Sequence, residues 1–221
     1  MRPKALVSWS SGKDSAFALH EVRRAGELEV VGLLTTVNRQ FERVAMHAVR
    51  IGLLRRQAEA AGLPLALVEI GWPCSNAAYE AAIGEALRRA RGDGISHVVF
   101  GDLFLADIRA YREAQLAPLG LAPVFPLWQR DTRALAHAMI DSGLTARLTC
   151  VDPRVLDRGF AGRAFDRALL AELPPGIDPC GENGEFHTFV TGGPMFARPV
   201  EVTLGEIVER DGFVFADLTE G

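Results

Sequence analysis

Short apolar runs alternate with longer segments of helical periodicity along the first half of the chain. The predicted strand and helix pairs are Ala5 to Val7 with Ser15 to Ala25, Val30 to Thr35 with His47 to Ala61, Leu65 to Ile70 with Ala77 to Arg91, and His97 to Phe100 with Ile108 to Ala117. Strands that are apolar throughout are buried on both faces, and repeated strand and helix units form parallel sheets. The pattern therefore predicts an α/β fold, a doubly wound parallel sheet with helices on both faces.

The alternation ends in the second half of the chain, where turn-forming residues become frequent. We expect a first domain over residues 1–127 and a smaller C-terminal α+β domain over residues 128–221. The passage from Pro174 to Pro194 is too rich in glycine and proline for a buried helix. Two later apolar segments, Val200 to Val208 and Phe213 to Leu218, are predicted strands that extend a sheet or pair with a second copy of the chain. A homodimer is therefore one candidate assembly.

A small polar turn connects the first predicted strand to the first predicted helix. This turn contains Ser8, Ser10, Ser11, Gly12, Lys13, Asp14 and Ser15. Free backbone N–H groups and the positive end of the dipole at a helix N-terminus favour phosphate, and Lys13 adds a positive charge. The triplet Ser-Gly-Lys alone is also typical of an ordinary solvated turn. The longer run, placed directly after a strand, predicts a nucleotide-binding loop.

The residue after Lys13 distinguishes this turn from a Walker A loop. That motif needs Ser or Thr after its lysine, whereas this chain has Asp14. A carboxylate there would repel a tightly bound phosphate, but it is suited to hold a metal ion that bridges phosphates. Asp14 is therefore a candidate metal ligand.

Two other predicted strands also end in polar or small residues. Thr35 ends the second strand, and Gly101 and Asp102 follow the fourth. Ligands of doubly wound sheets lie beyond the carboxyl ends of the strands, near the switch in strand order. Asp102 is therefore either a metal or substrate contact or the N-cap of the next helix.

Composition and charge limit the classes of function. The chain has 221 residues, 48% of them hydrophobic, which is enough for one large core or a main domain with a smaller companion. No apolar stretch reaches the length of a membrane span and no signal-peptide pattern precedes the first strand, so we expect a cytoplasmic protein without a membrane partner. A net charge of -4 argues against a nucleic-acid partner. Three scattered cysteines predict reduced thiols.

Two signatures give the chain a resemblance to a known family. The segment Ser10 to Ser15 resembles the Ser-Gly-Gly-Lys-Asp-Ser signature of the PP-loop ATP pyrophosphatases, with Ser11 where that family usually has glycine. The segment Gly181 to Thr188 resembles the second signature of the diphthine-ammonia ligase family, a branch of the PP-loop group, with His187 where many relatives carry an acid. Further matching stretches are Gly101-Asp102, Arg109, Arg112 and Glu113, Leu119 to Leu121, Pro126 to Trp128, His47, and Gln57 to Glu59.

The resemblance implies a PP-loop fold of the HUP-like, Rossmann type and an enzyme that splits ATP between its α and β phosphates. In this family a substrate carboxylate is adenylated with release of pyrophosphate, and ammonia then displaces AMP to give an amide. The implied ligands are ATP, Mg²⁺ and ammonium. The implied acceptor is a modified histidine on a translation elongation factor, or a small metabolite in a related protein.

The resemblance also implies roles for individual residues. The implied catalytic residues are Lys13, Asp14, Glu182 and Glu185, with Asp14 as the metal ligand. The implied ATP-binding residues are Ser8, Ser10, Ser11, Gly12, Lys13, Asp14, Ser15, Thr35, Gly101 and Asp102. The implied substrate-binding residues are His47, Arg109, Glu182, Glu185, His187 and Thr188. For His47 the alternative is an ordinary capping or surface residue.

Two other functions remain open. One is a tRNA-modifying enzyme of the PP-loop group, against which the acidic balance and the absence of a cysteine pair argue. The other is an adenine-nucleotide-binding module without catalysis, against which the second signature argues. An adenylating ligase explains both signatures together.

Overall fold

The computed structural model describes residues 1–38, 40, 49–71 and 73–221, together with the backbone of residues 43 and 44. In this part of the chain, five parallel strands and one short antiparallel strand form the first sheet. The strands are β1 (Lys4–Ser8), β2 (Glu29–Asn38), β3 (Arg43–Val44), β4 (Leu65–Ile70), β5 (Ile95–Val99) and β6 (Ala122–Val124). The helices between them are α1 (Lys13–Ala25), α2 (Ile51–Ala61), α3 (Asn76–Gly92) and α4 (Ala106–Leu116).

The parallel strands lie in the order β4, β2, β1, β5, β6, so the chain winds outward in both directions from β1. The strand order therefore reverses between β1 and β5, and a crevice at the carboxyl ends of these two strands is the expected ligand site. Strand β3 pairs antiparallel with the last residues of β2. This topology confirms the predicted doubly wound α/β fold.

Strand β1 is buried on both faces of the sheet. Ala5 and Val7 belong to a hydrophobic cluster with Phe17 of α1 and Leu53 of α2. Leu6 belongs to a second cluster, which contains apolar side chains of α3 and α4. Side chains of a strand alternate between its two faces, so a central strand with helices on both sides needs an uninterrupted apolar run.

The second sheet is antiparallel and lies in the C-terminal part of the chain. Its strands are β7 (Thr145–Val151), β8 (Phe186–Gly192), β9 (Val202–Arg210) and β10 (Phe213–Glu220), and the accompanying helices are α5 (Thr132–Asp141) and α6 (Arg167–Glu172). Within the described residues the strand order is β8, β7, β10, β9. This arrangement confirms the predicted smaller α+β unit. The glycine-rich passage ends in strand β8, because Phe186, Phe189 and Val190 are buried in the cluster shared with α1 and α2.

The two sheets are joined through the side of the molecule formed by α1 and α2. The larger hydrophobic cluster continues from these helices into Leu148 of β7 and Phe189 of β8. Polar contacts cross the same junction: Ala197 N donates to the main-chain O of Ala60 at 2.7 Å, and Arg56 pairs with Glu220 at 2.6 Å. The division into residues 1–127 and 128–221 stays a prediction.

Cys74, Cys150 and Cys180 are free thiols. Burial raises the pKa of Cys150 to about 12 and also raises the pKa of Cys180 above its ordinary value. These two buried cysteines therefore stay protonated and are poor nucleophiles. Within the described ranges, no helix combines the length and hydropathy needed to cross a membrane.

Candidate active site

A crevice of two adjoining cavities lies at the carboxyl ends of β1 and β5. Ser8, Ser10, Phe100 and Arg112 line both cavities. The first, the apolar half, has a volume of about 370 Å³ and is also lined by Trp9, Leu34, Thr35, Thr36, Tyr79, Ile83, Leu87, Val98 and Gln115. The second, the polar half, has a volume of about 260 Å³ and is also lined by Gly12, Lys13, Asp14, Ser15, Gly101, Asp102, Leu105, Ile108, Gly181, Glu182, Phe186, His187 and Thr188. This division suits a ligand with an aromatic ring at one end and charged groups at the other.

The polar half is built around residues 8–15, which we call the phosphate loop. Ser10 Oγ lies 3.1 Å from Ser15 Oγ and accepts a hydrogen bond from Gly12 N at 3.4 Å. Ser15 Oγ also donates to Gly12 O at 3.0 Å. Gly12 is the N-cap of α1, and the helix start has no side-chain cap. A helix N-terminus arranged in this way beside a cavity can receive an anion.

Ser11 occupies the left-handed region of backbone conformation, with φ at +70°. Glycine adopts this conformation freely, whereas a residue with a Cβ pays about 1 kcal/mol or more. Ser11 is completely buried, and its Oγ has no hydrogen-bond partner among the described residues. The serine that departs from the family signature is therefore strained by the turn.

Replacing Ser11 with glycine is expected to stabilise the protein by about 1 kcal/mol, because it removes the strain and an unpartnered buried hydroxyl. For a chain of this size that gain corresponds to a rise in Tm of roughly 3 °C, measured by thermal unfolding. Ser11→Ala is the matched control, since it removes the hydroxyl and keeps the strain, and we expect a smaller gain. An unchanged or lower Tm for Ser11→Gly would contradict the assignment of strain.

Lys13 is buried at the edge of the polar half, with 2% of its surface exposed. Its Nζ lies 2.8 Å from Asp14 Oδ2 and donates to the main-chain O of Cys180. The rings of Phe165 and Phe186 lie 5.7 Å and 5.4 Å from the ammonium group. Burial lowers the pKa of Lys13, but the charge of Asp14 opposes this effect and the net shift is upward. Lys13 therefore stays protonated at neutral pH.

Gly101 and Asp102 follow β5 and lie against the start of α1. A Cβ on Gly101 would lie 2.7 Å from the carbonyl carbon of Asp14 and 2.8 Å from Ser15 N, so only glycine allows this close approach. Helix α4 begins at Ala106 with Leu105 as its N-cap. Asp102 is therefore not the cap, and its side chain lines the polar half of the crevice.

Glu182 faces the phosphate loop from the opposite wall of the crevice. Its Oε1 accepts a hydrogen bond from Leu103 N at 2.7 Å. Burial raises the pKa of Glu182 to about 7, against the effect of this hydrogen bond. The charges of Asp14 and Asp102 add to the rise. A carboxyl group with such a pKa is balanced between its acid and base forms near neutrality.

Asp14 and Asp102 fit the chemistry of a magnesium site. Asp14 Oδ1 and Asp102 Oδ2 are buried without a hydrogen-bond partner among the described residues, and Asp102 Oδ2 lies 3.7 Å from Arg112 Nε. Burial raises the pKa of both carboxyl groups, and a cation beside them would oppose that effect. The described residues hold no group of three or more His, Cys, Asp or Glu side chains able to bind a metal by themselves. Mg²⁺ would therefore need phosphate oxygens and water as its other ligands.

Residues 181–185, which we call the Gly-Glu loop, place the two predicted catalytic glutamates in different surroundings. Glu185 is 5% exposed and does not line either cavity. Its Oε1 accepts hydrogen bonds from Asp178 N and Asn183 Nδ2, both at 3.0 Å. Asp178 Oδ2 in turn accepts from Glu182 N at 2.9 Å. Glu185 thus supports the loop from within the protein, whereas Glu182 faces the crevice, and the catalytic role of Glu185 stays a prediction.

His187 and Thr188 continue from the Gly-Glu loop into β8 and line the polar half. Thr188 Oγ1 accepts a hydrogen bond from Lys13 N at 3.1 Å, which fixes β8 against the start of α1. Burial lowers the pKa of His187 to about 4, and the charge of Lys13 acts in the same direction. The imidazole is therefore neutral at physiological pH, and its role in substrate binding stays a prediction.

The chain matches the models of one known protein family along most of its length. A model described as the diphthamide synthase N-terminal domain matches residues 3–121, and one described as the diphthamide synthase C-terminal domain matches residues 131–217. The chain belongs to the diphthamide synthase family. This assignment confirms the family predicted from the two signatures and supports the prediction of an ATP-dependent ligase.

Several relatives of this diphthamide synthase family member are named diphthine–ammonia ligase. The bovine protein is 28% identical and the human protein 27% identical, and each alignment covers 98% of this chain and 88% of the relative. The protein from Schizosaccharomyces pombe is 35% identical over 42% of this chain, which corresponds to 16% of the yeast protein. Among solved structures, a U34-tRNA thiolase from Methanococcus maripaludis aligns with 16% identity and a TM-score of 0.40, over 63% of this chain and 56% of the thiolase.

Two predicted substrate-binding residues of this diphthamide synthase family member lie away from the crevice or outside the described residues. Arg109 Nε contacts Glu113 Oε1 at 2.8 Å, and its guanidinium lies 4.8 Å from the ring centre of Trp128. Arg109 does not line either half of the crevice. His47 lies outside the described residues. The binding roles of both residues stay predictions.

Several crevice residues of this family member were not predicted as site residues. Arg112 lines both halves, and its guanidinium lies 5.0 Å from the ring centre of Phe100. Tyr79, Ile83 and Leu87 line the apolar half from one face of α3. Their spacing of four residues puts them on one helix face, and an apolar face of this kind ordinarily packs into the core. Only the fold brings that face beside the carboxyl ends of β1 and β5.

Proposed function

We propose that this protein is an ATP-dependent amide ligase that joins ammonia to a carboxylate, with release of AMP and pyrophosphate. The observation that carries the proposal is that the phosphate loop and the Gly-Glu loop face each other across one crevice. Lys13 and Glu182 line the same polar cavity, although 169 positions of sequence numbering separate them. An anion site and a carboxyl group with a pKa of about 7 are the groups that adenylation and amide formation need.

The first step would be attack of the acceptor carboxylate on the α phosphorus of ATP. The apolar half of the crevice suits adenosine, and the phosphate loop suits the phosphates that follow it. The Lys13 ammonium group would balance the negative charge that develops on the departing pyrophosphate. Asp14 and Asp102 are the residues that would hold Mg²⁺, which supplies further positive charge at phosphate oxygens when bound.

The second step would convert the acyl-adenylate into an amide. Ammonia attacks the acyl carbon, the bond to AMP breaks, and the nitrogen loses one proton. Glu182 is the proposed proton acceptor, because it lines the crevice and its pKa of about 7 leaves it partly ionised near neutrality. Glu185 would act through its hydrogen bonds to Asp178 and Asn183, which hold the loop in place.

The proposed acceptor is diphthine, the modified histidine of a translation elongation factor. The names of the relatives support this choice. A carboxylate on a small metabolite is the alternative acceptor. In the proposed division of work, residues 1–127 bind ATP and residues 128–221 face the acceptor, and the protein works in the cytoplasm.

The function is tested by incubating the purified protein with Mg²⁺, ammonium, ATP labelled at the α phosphate, and an extract of its own host. We expect labelled AMP and pyrophosphate that depend on the extract. Treating the extract with protease should abolish the reaction if the acceptor is a protein, and should leave it intact if the acceptor is a metabolite. Loss of the reaction after ribonuclease treatment would favour a tRNA-modifying enzyme instead.

Two other outcomes would remove the proposal. Formation of ADP and phosphate would contradict cleavage between the α and β phosphates. Tight binding of ATP without turnover, with every extract fraction and with ammonium present, would favour a nucleotide-binding module without catalysis.

A further inference from the structure

Gln57 of α2 is a fully buried polar residue at the junction between the phosphate loop and β8. Its Nε2 donates to the main-chain O of Val190 at 2.7 Å and to the main-chain O of Ser11 at 3.1 Å. Its Oε1 accepts a hydrogen bond from Trp9 Nε1 at 3.0 Å. One side chain thus connects the end of β1, the phosphate loop and the second sheet.

These three contacts define the orientation of the Gln57 amide. Each of the two N–H groups of the amide has a carbonyl acceptor, and the amide oxygen accepts from the indole N–H of Trp9. The reversed amide would place oxygen against two carbonyl oxygens and an NH₂ group against the indole N–H of Trp9. A buried amide with all of these partners is held in a single arrangement.

The contact with Ser11 acts at the strained point of the phosphate loop. The Ser11 carbonyl accepts hydrogen bonds from both Gln57 Nε2, at 3.1 Å, and Val190 N, at 3.0 Å. A non-glycine residue with φ at +70° persists only where its surroundings fix it. The two donors fix the direction of the carbonyl and therefore the shape of the turn.

The contact with Val190 extends this effect to the opposite wall of the crevice. Val190 belongs to β8, the strand that directly follows the Gly-Glu loop and carries Thr188. Thr188 lies two residues before Val190 on this strand, and its Oγ1 accepts a hydrogen bond from Lys13 N. A shift of β8 would therefore move Thr188 and Glu182 together relative to the phosphate loop.

We infer that Gln57 is a positioning residue that holds the phosphate loop and the Gly-Glu loop in the register needed for reaction. Gln57 does not line the crevice and touches no reacting group, so it acts through Ser11 and Val190. This inference rests on the proposed ligase function for its kinetic consequence, and on geometry alone for its structural consequence.

The test replaces Gln57 with methionine, which matches its length and removes both donors. Arg23→Met is the matched control. Arg23 joins the same two parts of the chain through two similar hydrogen bonds, to Ala61 O at 2.8 Å and Met195 O at 3.1 Å, and lies outside the crevice. Both variants are expected to lose some thermal stability.

Hydrogen exchange provides the first measurement and needs no substrate. In Gln57→Met, the amides of Lys13 and Val190 are expected to exchange faster than the loss of global stability accounts for, because their acceptors lie on the two segments that Gln57 joins. In Arg23→Met, the exchange rates of the same two amides should rise only as far as the loss of global stability accounts for. Equal behaviour of these amides in the two variants would overturn the inference.

Kinetics of AMP formation provide the second measurement. A displacement of about 1 Å between reacting groups lowers a rate by about 10²-fold, so kcat is expected to fall by about this factor in Gln57→Met. The KM for ATP should change less than kcat, because the two acceptors of the Gln57 amide, Ser11 and Val190, do not line the apolar half, where Trp9 is the one partner of Gln57. An unchanged kcat, or a loss confined to KM, would overturn the inference.

A second variant, Gln57→Glu, tests the donors separately. It keeps the acceptor for Trp9, and its second oxygen, protonated in this buried position, can donate to only one of the two carbonyls, so we expect exchange and kinetic changes in the same direction as in Gln57→Met and no larger. A wild-type protein that forms no AMP with any acceptor would remove the ligase proposal, and hydrogen exchange would still decide the role of Gln57.

Discussion

Replacing Lys13 with methionine is expected to slow acceptor-dependent AMP formation by about 10³-fold, the upper range for removal of one charge-stabilising group from an active site. Lys13 lines the polar half of the crevice, at the start of α1. Methionine keeps an apolar stem of similar length but removes the ammonium group, which lies beside the rings of Phe165 and Phe186, and so cannot balance the charge of the departing pyrophosphate. The measurement is the initial rate of labelled AMP release at saturating ATP.

The control for this prediction is the only other lysine of the chain, Lys4. Lys4 is exposed at the opposite end of β1 from the crevice, so Lys4→Met should retain the wild-type rate. Because Lys13→Met leaves Asp14 without its ion-pair partner, thermal unfolding must show that the variant is folded. A folded Lys13→Met protein with the wild-type rate would remove Lys13 from the mechanism.

The sheet and the phosphate loop could be predicted because their signals are local in the sequence. Ser10 to Ser15 are consecutive, and the apolar run of β1 places them at the end of a strand. Where the bounds differ, tertiary contacts decide them. The predicted end of strand β2 is Thr35, but the strand continues as far as Asn38. Val37 is buried, and Val37 and Asn38 both pair with β3 on one side and β4 on the other.

The different surroundings of Glu182 and Glu185 could not be predicted from the signature. Both belong to one glycine-containing motif, and the resemblance gives them the same role. In the structure, Gly181 and Gly184 take left-handed conformations, with φ at +67° and +89°. These turns send the Glu182 side chain into the crevice and leave Glu185 inside the loop. Backbone conformation of this kind depends on the buried residues around the loop, which a local pattern does not contain.

The positions of Arg112 and Gln57 are also products of the fold. Both lie in stretches that match the family, but nothing adjacent in the sequence indicates what they contact. Arg112 reaches the crevice because α4 follows the strand on the far side of the switch in strand order. Gln57 meets Val190 across 133 positions of sequence. Contacts of this range follow only from the packing of the two sheets.

Replacing Glu182 with glutamine is expected to slow amide formation by about 10²-fold, the lower range for loss of a general base. The amide oxygen can still accept the hydrogen bond from Leu103 N, so the loop should keep its position. Glutamine cannot take a proton from the attacking nitrogen. Adenylate formation should therefore continue while its conversion to the amide slows, which a single-turnover experiment with separate addition of ammonium can measure.

The pH dependence of the second step gives the sharper test of Glu182. Burial raises the pKa of this carboxyl group to about 7, and the reactive form is the ionised one. The wild-type rate, compared at equal concentrations of uncharged ammonia, should therefore rise as pH increases through about 7 and level off above it. Glu182→Gln should lose this rise. Glu185→Gln should retain it, because its oxygen can still accept from Asp178 N and it does not line the crevice. A rise that survives in Glu182→Gln and disappears in Glu185→Gln would exchange the two roles, and would mean that the loop opens to expose Glu185 during the reaction.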